Sequence, residues 1–234
     1  MATSSKRSKR YQKAAELVDS TKTYSMDEAV EILKKFPAPK FDPTVTLSFN
    51  MGIDPRKSDQ MVRGSVSLPH GTGKDVKVIV FATGDAAKAA EAGGANEVGL
   101  DDLIKKVQGG FTDFDVAIAT PDAMTEVRKI ARVLGPRGLM PNPKTGTVTD
   151  DVAGAIDKVK AGSINYKVDK NGVIAAGVGK ASFDAAKIAE NAQSLIDAVV
   201  KAKPASAKGN YIQGVTLASC MNPGIKLEAS IFAI

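Results

Sequence analysis

The sequence predicts an α/β protein of two domains, in which a Rossmann-like parallel α/β domain is inserted into a discontinuous α+β domain. Near both ends of the chain, apolar and polar residues alternate, as in antiparallel strands with one buried face. In the middle, almost continuous apolar runs are separated by helical patterns, which is typical of a parallel sheet covered on both sides. The predicted boundaries are 1–71 with 163–234 for the discontinuous domain and 72–162 for the insertion.

The discontinuous domain begins with a predicted helix and two strands. Ser25 and Glu28 form a capping box, and the apolar residues that follow recur with helical spacing until two prolines end the helix. Residues 45–53 alternate between apolar and polar side chains, which predicts a strand. A second strand is predicted at 62–68.

The insertion contains two predicted buried strands and three predicted helices. The strands are the apolar runs 76–82 and 116–119. Apolar residues with helical spacing recur at 100–107, 121–134 and 152–159. This alternation of strand and helix favours a small parallel sheet.

The second part of the discontinuous domain is predicted to be a split βαβ-like arrangement with an antiparallel sheet. Predicted strands at 164–168 and 173–178 flank Asp169–Gly172, which indicates a β-hairpin because Asn-Gly favours positive φ in a tight turn. The remaining predicted elements are a long helix at 185–200 and strands at 211–221 and 225–232.

Charge favours an anionic partner. The net charge is +6, and five cations near the N-terminus form an arm with no acidic residue among them. Such an arm either lies along phosphates, where it releases condensed counterions, or is a solvated terminus, and the residues alone leave both open. The cations of the arm are Lys6, Arg7, Lys9, Arg10 and Lys13.

The compartment predicted from composition is the cytoplasm. No apolar run approaches the length of about 20 residues that crosses a bilayer, so no membrane partner is expected. The N-terminal residues do not resemble a signal peptide. The single cysteine, Cys220, excludes an intrachain disulfide and suits a reducing compartment.

The residues do not predict an enzyme. His70 is the one histidine, and Cys220 lies in an unrelated segment, so a nucleophile–base pair and a zinc site are both unsupported. The segment from His70 to Lys74 is followed by Asp75, where a P-loop needs Ser or Thr. Gly177 and Gly179 lack the third glycine of a dinucleotide fingerprint. We therefore predict no catalytic residue, no metal and no cofactor.

The segment that least resembles a purely structural part of the chain is a long loop at 135–149. It contains three prolines and three glycines, and a loop of this length in a compact domain is usually functional or disordered. Arg137 and Lys144 within it are candidates for a secondary contact, either with RNA phosphate or with a neighbouring domain.

This loop also carries a family resemblance. GPRGLMPNPKTGTV (135–148) and FDPTVTLSFNMGIDPRKSDQMVRGSVSLPHGTGK (41–74) resemble bacterial large-subunit ribosomal protein one, the family of the mobile stalk beside the tRNA exit site. The similarity continues through KRYQKAAELVD (9–19), VGKASF (178–183) and the closing strands. It implies the same two-domain fold, with the main RNA surface on the discontinuous domain.

The resemblance also implies partners. They are a stalk segment of large-subunit ribosomal RNA, the deacylated tRNA that leaves the exit site, and the leader of the protein's own messenger RNA, whose translation it would repress. A member of the family is expected to act as a monomer within the large ribosomal subunit.

The resemblance implies a first group of rRNA-binding residues at Lys40, Phe41 and Thr44, to which Lys180 of the VGKASF motif is added. Lys40 suits a phosphate, and the Thr44 hydroxyl suits a ribose 2′-hydroxyl. For Phe41, packing in the core and contact with ribose are equally compatible with the sequence.

A second group lies in a turn near the C-terminus, where the family has Thr-Met-Gly. This chain has Cys220, Met221 and Asn222 there, preceded by Ser219. Cys220 replaces a hydroxyl with a weak donor, for which Ser219 is a candidate substitute. Asn222 is a suitable replacement for glycine if the turn needs positive φ at that position.

Two other functions compete with ribosomal RNA binding. The pattern of the central domain is compatible with a nucleotide-binding α/β enzyme, and the basic arm is compatible with a DNA-binding regulator. The second alternative is weakened because the sequence lacks a recognisable helix-turn-helix or dimerising heptad.

Overall fold

A computed structural model describes residues 7–207 and 209–231. The chain divides into two compact units. We call the unit that ends at Gly73 and resumes at Ile164 the terminal unit, and Lys74–Ser163 the central unit. Lys6, the first cation of the predicted arm, lies outside the described residues.

The helices and strands of the described residues follow the predicted order, with three additions. They are a helix at Lys9–Glu16 in the terminal unit, and a helix at Asp85–Ala92 and a strand at Glu97–Gly99 in the central unit. The helices are α1 (Lys9–Glu16), α2 (Met26–Lys35), α3 (Asp85–Ala92), α4 (Asp101–Gln108), α5 (Met124–Val127), α6 (Ala131–Leu134), α7 (Val152–Lys160) and α8 (Ala185–Lys201). The strands are β1 (Thr44–Met51), β2 (Arg63–Ser67), β3 (Val78–Phe81), β4 (Glu97–Gly99), β5 (Val116–Ala119), β6 (Ser163–Lys167), β7 (Val173–Lys180), β8 (Ile212–Ser219) and β9 (Ile225–Lys226).

The terminal unit is built on a four-stranded sheet in the order β7-β1-β8-β9. Strand β1 is antiparallel to both neighbours, so β7 and β8 run in the same direction with α8 connecting them. This is the predicted split βαβ arrangement. The alternating residues of β1 explain it, because Val45, Leu47 and Phe49 are fully buried and pack in one cluster with the buried stripe of α8.

The turn predicted at Asp169–Gly172 is present, but the predicted pairing of the two strands that flank it is wrong. Gly172 has φ of 75° and its N–H donates to the Asp169 carbonyl at 3.0 Å. The flanking strands do not pair with each other: β6 pairs with β2 in a separate two-stranded sheet, and β7 pairs with β1. The eight-residue β1 offers β7 a partner almost along its whole length, which the five-residue β6 does not.

The predicted last strand is also shorter than expected. Strand β9 ends at Lys226, and a 3-10 helix occupies Ala229–Ile231. Between them the backbone pairs with a different segment, since Glu228 N–H donates to the Tyr24 carbonyl at 3.0 Å. The part of the predicted strand beyond residue 231 lies outside the described residues.

The central unit has a three-stranded parallel sheet in the order β4-β3-β5, with helices on both faces. Val78 and Val80 face the cluster that contains residues of α3 and α7, whereas Ile79 and Phe81 face the cluster that contains residues of α4, α5 and α6. Both faces of β3 are therefore buried, which is why its sequence is continuously apolar. The mixed α/β fold with an antiparallel sheet and a separate parallel sheet is confirmed.

The 135–149 loop is attached to the central unit along its length. The side chains of Leu139 and Met140 pack against the cluster that contains Phe81. The loop then returns to the end of β5, where Ala119 N–H donates to the Thr147 carbonyl at 3.0 Å. These contacts account for the two apolar residues that distinguish the loop from a linker.

One buried group of the terminal unit predicts a pH effect. The hydroxyl of Tyr211 is buried without a hydrogen-bond partner among the described residues. Burial, aided by nearby Tyr166, raises the pKa of Tyr211 from 10.0 to about 12. Because ionisation is easier in the unfolded chain, the stabilising contribution is complete below pH 10 and is lost as pH rises from about 10 to 12.

We expect Tyr211→Phe to remove the loss of stability that ionisation of Tyr211 causes at alkaline pH. The variant should also raise the free energy of unfolding at pH 7 by about 1 kcal/mol, since an unsatisfied buried hydroxyl costs that much. Urea denaturation at pH 7, 10 and 11.5 measures both effects. An equal alkaline loss in the variant and the parent would contradict the assignment. Tyr24→Phe is a control for the loss of a hydroxyl that is bonded, since Tyr24 accepts from the Asp19 N–H at 3.0 Å.

Within the described residues, none of the helices combines the length and hydropathy needed to cross a bilayer.

Candidate nucleic-acid interface

The predicted RNA-binding residues of the terminal unit converge at one end of its sheet. Thr44 begins β1 and is paired with Lys180, which ends β7. On the other side of β1, Val45 is paired with Ser219, which ends β8. Because β1 is antiparallel to both neighbours, its first residue and their last residues must meet at this end. We call this group, with Lys40, Phe41 and residues 220–222, the sheet-end site.

Thr44 and Lys180 are joined directly. The Lys180 Nζ donates to Thr44 Oγ1 at 3.3 Å, and the Asp42 carbonyl lies 3.5 Å from the same nitrogen. Lys180 as a residue is half-buried, and its ammonium has further N–H donors besides the one that bonds to the Thr44 hydroxyl oxygen. The Thr44 O–H is then oriented away from Lys180 and can donate to a ligand oxygen.

Two glycines of β7 avoid close contacts with side chains next to this pair. A Cβ at Gly177 would lie 3.3 Å from the Thr44 methyl group, and one at Gly179 would lie 3.0 Å from the Phe183 ring. The register between β1 and β7 also shifts between Val45 and Thr46, as in a β-bulge. The glycine pair that resembled part of a nucleotide fingerprint therefore has a structural role at the sheet-end site.

Phe41 is at the surface rather than in the core, with 47% of its area exposed. It lines a pocket of about 460 Å³ together with residues of the 36–43 segment and with Ser182 and Asn222. The carboxylate of Asp42 accepts from both the N–H and the hydroxyl of Ser182, at 3.2 and 2.8 Å. These bonds fix the segment that carries Lys40 and Phe41, both of which are exposed.

Residues 219–222 form a tight turn beside Thr44. The Asn222 N–H donates to the Ser219 carbonyl at 3.0 Å, and the Cys220 N–H donates to the Thr44 carbonyl at 3.1 Å. Ser219 is buried, and its hydroxyl accepts from the Asn222 side-chain amide at 2.7 Å. In this arrangement Ser219 orients Asn222, whereas Cys220 and Met221 are exposed.

The positive φ of this turn falls on Met221, at 66°, and not on Asn222, for which the sequence had made it a possibility. Positive φ at the third residue with a bond from the fourth to the first is the pattern of a type II turn. A methionine in this conformation is strained by roughly 1–2 kcal/mol. Its side chain is 65% exposed, so folding alone does not explain why it occupies the position.

Replacing Met221 by glycine should separate stability from binding. We expect Met221→Gly to raise the free energy of unfolding by about 1 kcal/mol, because glycine accepts positive φ. If the sheet-end site binds RNA, as the family resemblance implies, the loss of the exposed side chain should also lower the affinity for stalk RNA. The control is Met61→Gly, since Met61 is exposed to 43% but has φ of −75°, and it should destabilise. Urea unfolding measures the stability of each variant, and a gel shift measures its affinity for RNA. A loss of both stability and affinity in Met221→Gly would contradict the strain argument.

The sequence did not place Arg10 at this site. Its guanidinium donates to the Met221 carbonyl at 3.1 Å and to the Asn222 side-chain oxygen at 3.4 Å. The contact joins residues more than 200 positions apart in the chain. The positive charge of the N-terminal arm indicated a possible phosphate contact, but sequence spacing does not indicate which arginine of the arm reaches the turn.

The two secondary candidates lie in the central unit. Arg137 donates to the hydroxyl of Thr112 within that unit. The backbone of Lys144 belongs to a 3-10 helix at Pro143–Thr145, and its side chain lies outside the described part of the structure. Whether either residue contacts RNA or another domain stays a prediction.

The chain matches one family of known proteins over most of its length. The model of the ribosomal protein L1p/L10e family matches residues 33–223, which include the whole sheet-end site but not Arg10. The chain belongs to this family. It is a ribosomal protein and not an enzyme.

Curated relatives extend the match to almost the whole chain. The chain is 55% identical to a protein of Corynebacterium glutamicum (strain R) over 227 residues, which are 97% of this chain and 96% of that protein. It is 56% identical to a protein of Mycolicibacterium vanbaalenii over 227 residues, 97% of each. A protein of Saccharopolyspora erythraea is 56% identical over 223 residues, 95% of this chain and 94% of that protein. Each of the three is named large ribosomal subunit protein uL1.

Proposed function

We propose that the sheet-end site binds a folded stalk segment of large-subunit ribosomal RNA. As a member of its family, the chain is a structural component of the large ribosomal subunit, binds ribosomal RNA and acts in the cytoplasm on the ribosome. The observation that carries the finer proposal is the convergence of Thr44, Lys180 and the 219–222 turn at one end of the sheet.

The chemistry of the site suits RNA. Lys40 and Lys180 supply positive charge for phosphates, and the Thr44 hydroxyl is a donor and acceptor of the kind that recognises a ribose 2′-hydroxyl. Phe41 offers an exposed apolar ring for a ribose or a base. Few aromatic residues are available elsewhere in the chain, so recognition should depend on backbone and shape more than on stacking.

Two further activities are part of the proposal. One is assistance in the release of deacylated tRNA from the exit site while the protein remains a single copy on the stalk. The other is repression of translation of its own messenger RNA. If the leader of that messenger folds like the ribosomal segment, it competes for the same site, so one set of substitutions should weaken both complexes in proportion.

A gel shift with a transcribed stalk segment tests the main proposal. We expect saturable binding that weakens steeply as salt rises, with duplex DNA a poor competitor. Competition by duplex DNA at equal concentration would favour the DNA-binding alternative. Binding of ATP, GTP or NAD by the pure protein would favour the nucleotide-enzyme alternative.

Cys220 offers a residue-level test. Cys220→Thr should tighten binding to the stalk segment by on the order of 1 kcal/mol, because an exposed thiol that is a weak donor becomes a hydroxyl. Cys220→Val is the matched control, since it has the shape of threonine without the hydroxyl, and it should not tighten binding. Equal or weaker affinity of Cys220→Thr at fixed salt would contradict the role given to this position.

A further inference from the structure

Helix α1 lies against the sheet-end site and carries cations that have no assigned role. We propose that α1 forms part of the RNA-binding surface, with Lys9 and Lys13 as phosphate-binding residues and Arg10 as the residue that holds the helix against the 219–222 turn. The inference rests on the proposed function of the sheet-end site and extends its surface to a segment outside the residues matched by the family model.

The helix is fixed to the terminal unit at two points. Arg10 donates to the backbone carbonyl of Met221 and to the side chain of Asn222, as described above. One turn later, Ala14 is fully buried in the cluster that contains Val45 and Leu47. Since both contacts lie on one side of a short helix, its position relative to the turn is defined.

One of the two bonds that Arg10 makes to the turn depends on a side chain that glycine would not provide. The Asn222 oxygen accepts from Arg10, while the nitrogen of the same amide donates to the buried Ser219 hydroxyl. Asn222 thus links the helix to the end of β8. Asn222, one of the two residues in which the chain departs from the Thr-Met-Gly pattern, therefore contacts α1 through its side chain.

The other two cations of the helix are available to a ligand. Lys9 and Lys13 are four residues apart, so they lie on one flank of α1, and both are exposed. Within residues 7–207 and 209–231, neither forms an ion pair, whereas Lys35, Lys88, Lys129 and Lys187 each pair with an acid three or four residues away. The first turn of α1 contains no acidic residue. Unpaired ammonium groups beside a site for RNA favour contacts with phosphates.

The test measures affinity for the transcribed stalk segment as a function of salt. Each phosphate contact contributes about 0.7 to 0.9 to the slope of log K against log salt. For the double variant Lys9→Gln with Lys13→Gln, we expect the slope to fall in magnitude by about 1.4 to 1.8, with a loss of affinity on the order of tenfold at 0.1 M salt. The control is Lys201→Gln with Lys203→Gln, two exposed lysines. Lys201 is the last residue of α8, about 25 Å along that helix from the site, and Lys203 follows it after one residue. This control should keep the parent slope.

The role of Arg10 is tested by a mutant cycle that combines Arg10→Ala with the double variant of Lys9 and Lys13. In an Arg10→Ala background the helix loses its hold on the turn, so removing Lys9 and Lys13 should then change affinity by no more than about threefold. Full additivity of the two changes would overturn the positioning role. Circular dichroism and urea unfolding establish that each variant is folded, and the slope is the readout that a merely structural effect would leave unchanged.

The outcomes distinguish a failure of this inference from a failure of the proposed function. If the parent protein binds the stalk segment and Lys180→Met weakens it, but the Lys9 and Lys13 variant keeps the parent affinity and slope, then α1 is not part of the surface and the sheet-end site stands. If the parent protein does not bind the segment, the proposed function itself fails.

Discussion

Replacing Asn191 by leucine should lower the free energy of unfolding by about 3 kcal/mol. Asn191 of α8 is fully buried. Its side-chain oxygen accepts from the His70 N–H at 3.1 Å, and its nitrogen donates to the carbonyls of Gly71 and Val178 at 3.0 and 2.8 Å. Leucine has a similar volume but leaves three backbone groups without their partner, and each such group costs about 1–3 kcal/mol when buried. Two of the three hydrogen bonds are only partly buried, so the total cost of losing them should lie near the lower end of this range.

Urea denaturation at pH 7 measures this loss. Gln193→Leu is the control, since Gln193 is an exposed amide of the same helix whose side chain bonds to Asp197, and it should change stability by less than about 0.5 kcal/mol. Similar stability of the two variants would mean that Asn191 does not hold the 70–71 segment in solution. The expected result would establish that the chain leaving the terminal unit is held up to Gly71.

Replacing Lys180 by methionine should weaken binding to the stalk segment by about 10- to 100-fold. The substitution keeps an unbranched chain of similar length but removes the ammonium that contacts Thr44 Oγ1. A hydrogen bond to a charged group contributes about 1.5–3 kcal/mol, which corresponds to that range of affinity. Loss of the ammonium also leaves the Thr44 hydroxyl without the donor that orients it.

A gel shift at fixed salt measures the effect, with Lys201→Met as a control that removes an exposed lysine far from the site. The control should remain within about twofold of the parent protein. Equal affinities of Lys180→Met and the parent would contradict the place of Lys180 at the interface. An equal loss in both variants would indicate that net charge, and not the sheet-end site, determines affinity.

The fold followed from the sequence where burial imposes a strong pattern. The alternation in β1 and the continuous apolar run in β3 specify one-sided and two-sided burial, and both were predictable. Helix α3 and strand β4 were missed, because an alanine-rich octamer and a three-residue strand carry little periodic signal. Helix α1 was also missed, because its segment was interpreted only as a basic arm. The wrong hairpin has another cause. A turn sequence fixes the reversal of the chain, whereas the choice of partner strand depends on distant segments.

The site was only partly predictable for the same reason. The residues of the resemblance do lie together, but their roles depend on bonds made across the fold. Ser219 was a candidate for direct contact, yet its hydroxyl is buried under Asn222. Asn222 was considered for positive φ because asparagine tolerates it, but the positive φ falls on Met221. Arg10 reaches the turn from the opposite end of the chain, which no local pattern indicates.

The terminal unit alone is expected to carry the main RNA-binding surface. The most direct measurement is the affinity for the stalk segment of a chain in which residues 74–163 are replaced by a short glycine-rich connection, compared with the intact chain at the same salt. We predict affinities within about threefold of each other, because the sheet-end site and α1 belong to the terminal unit. A folded truncated chain that binds the segment no better than duplex DNA would contradict the claim.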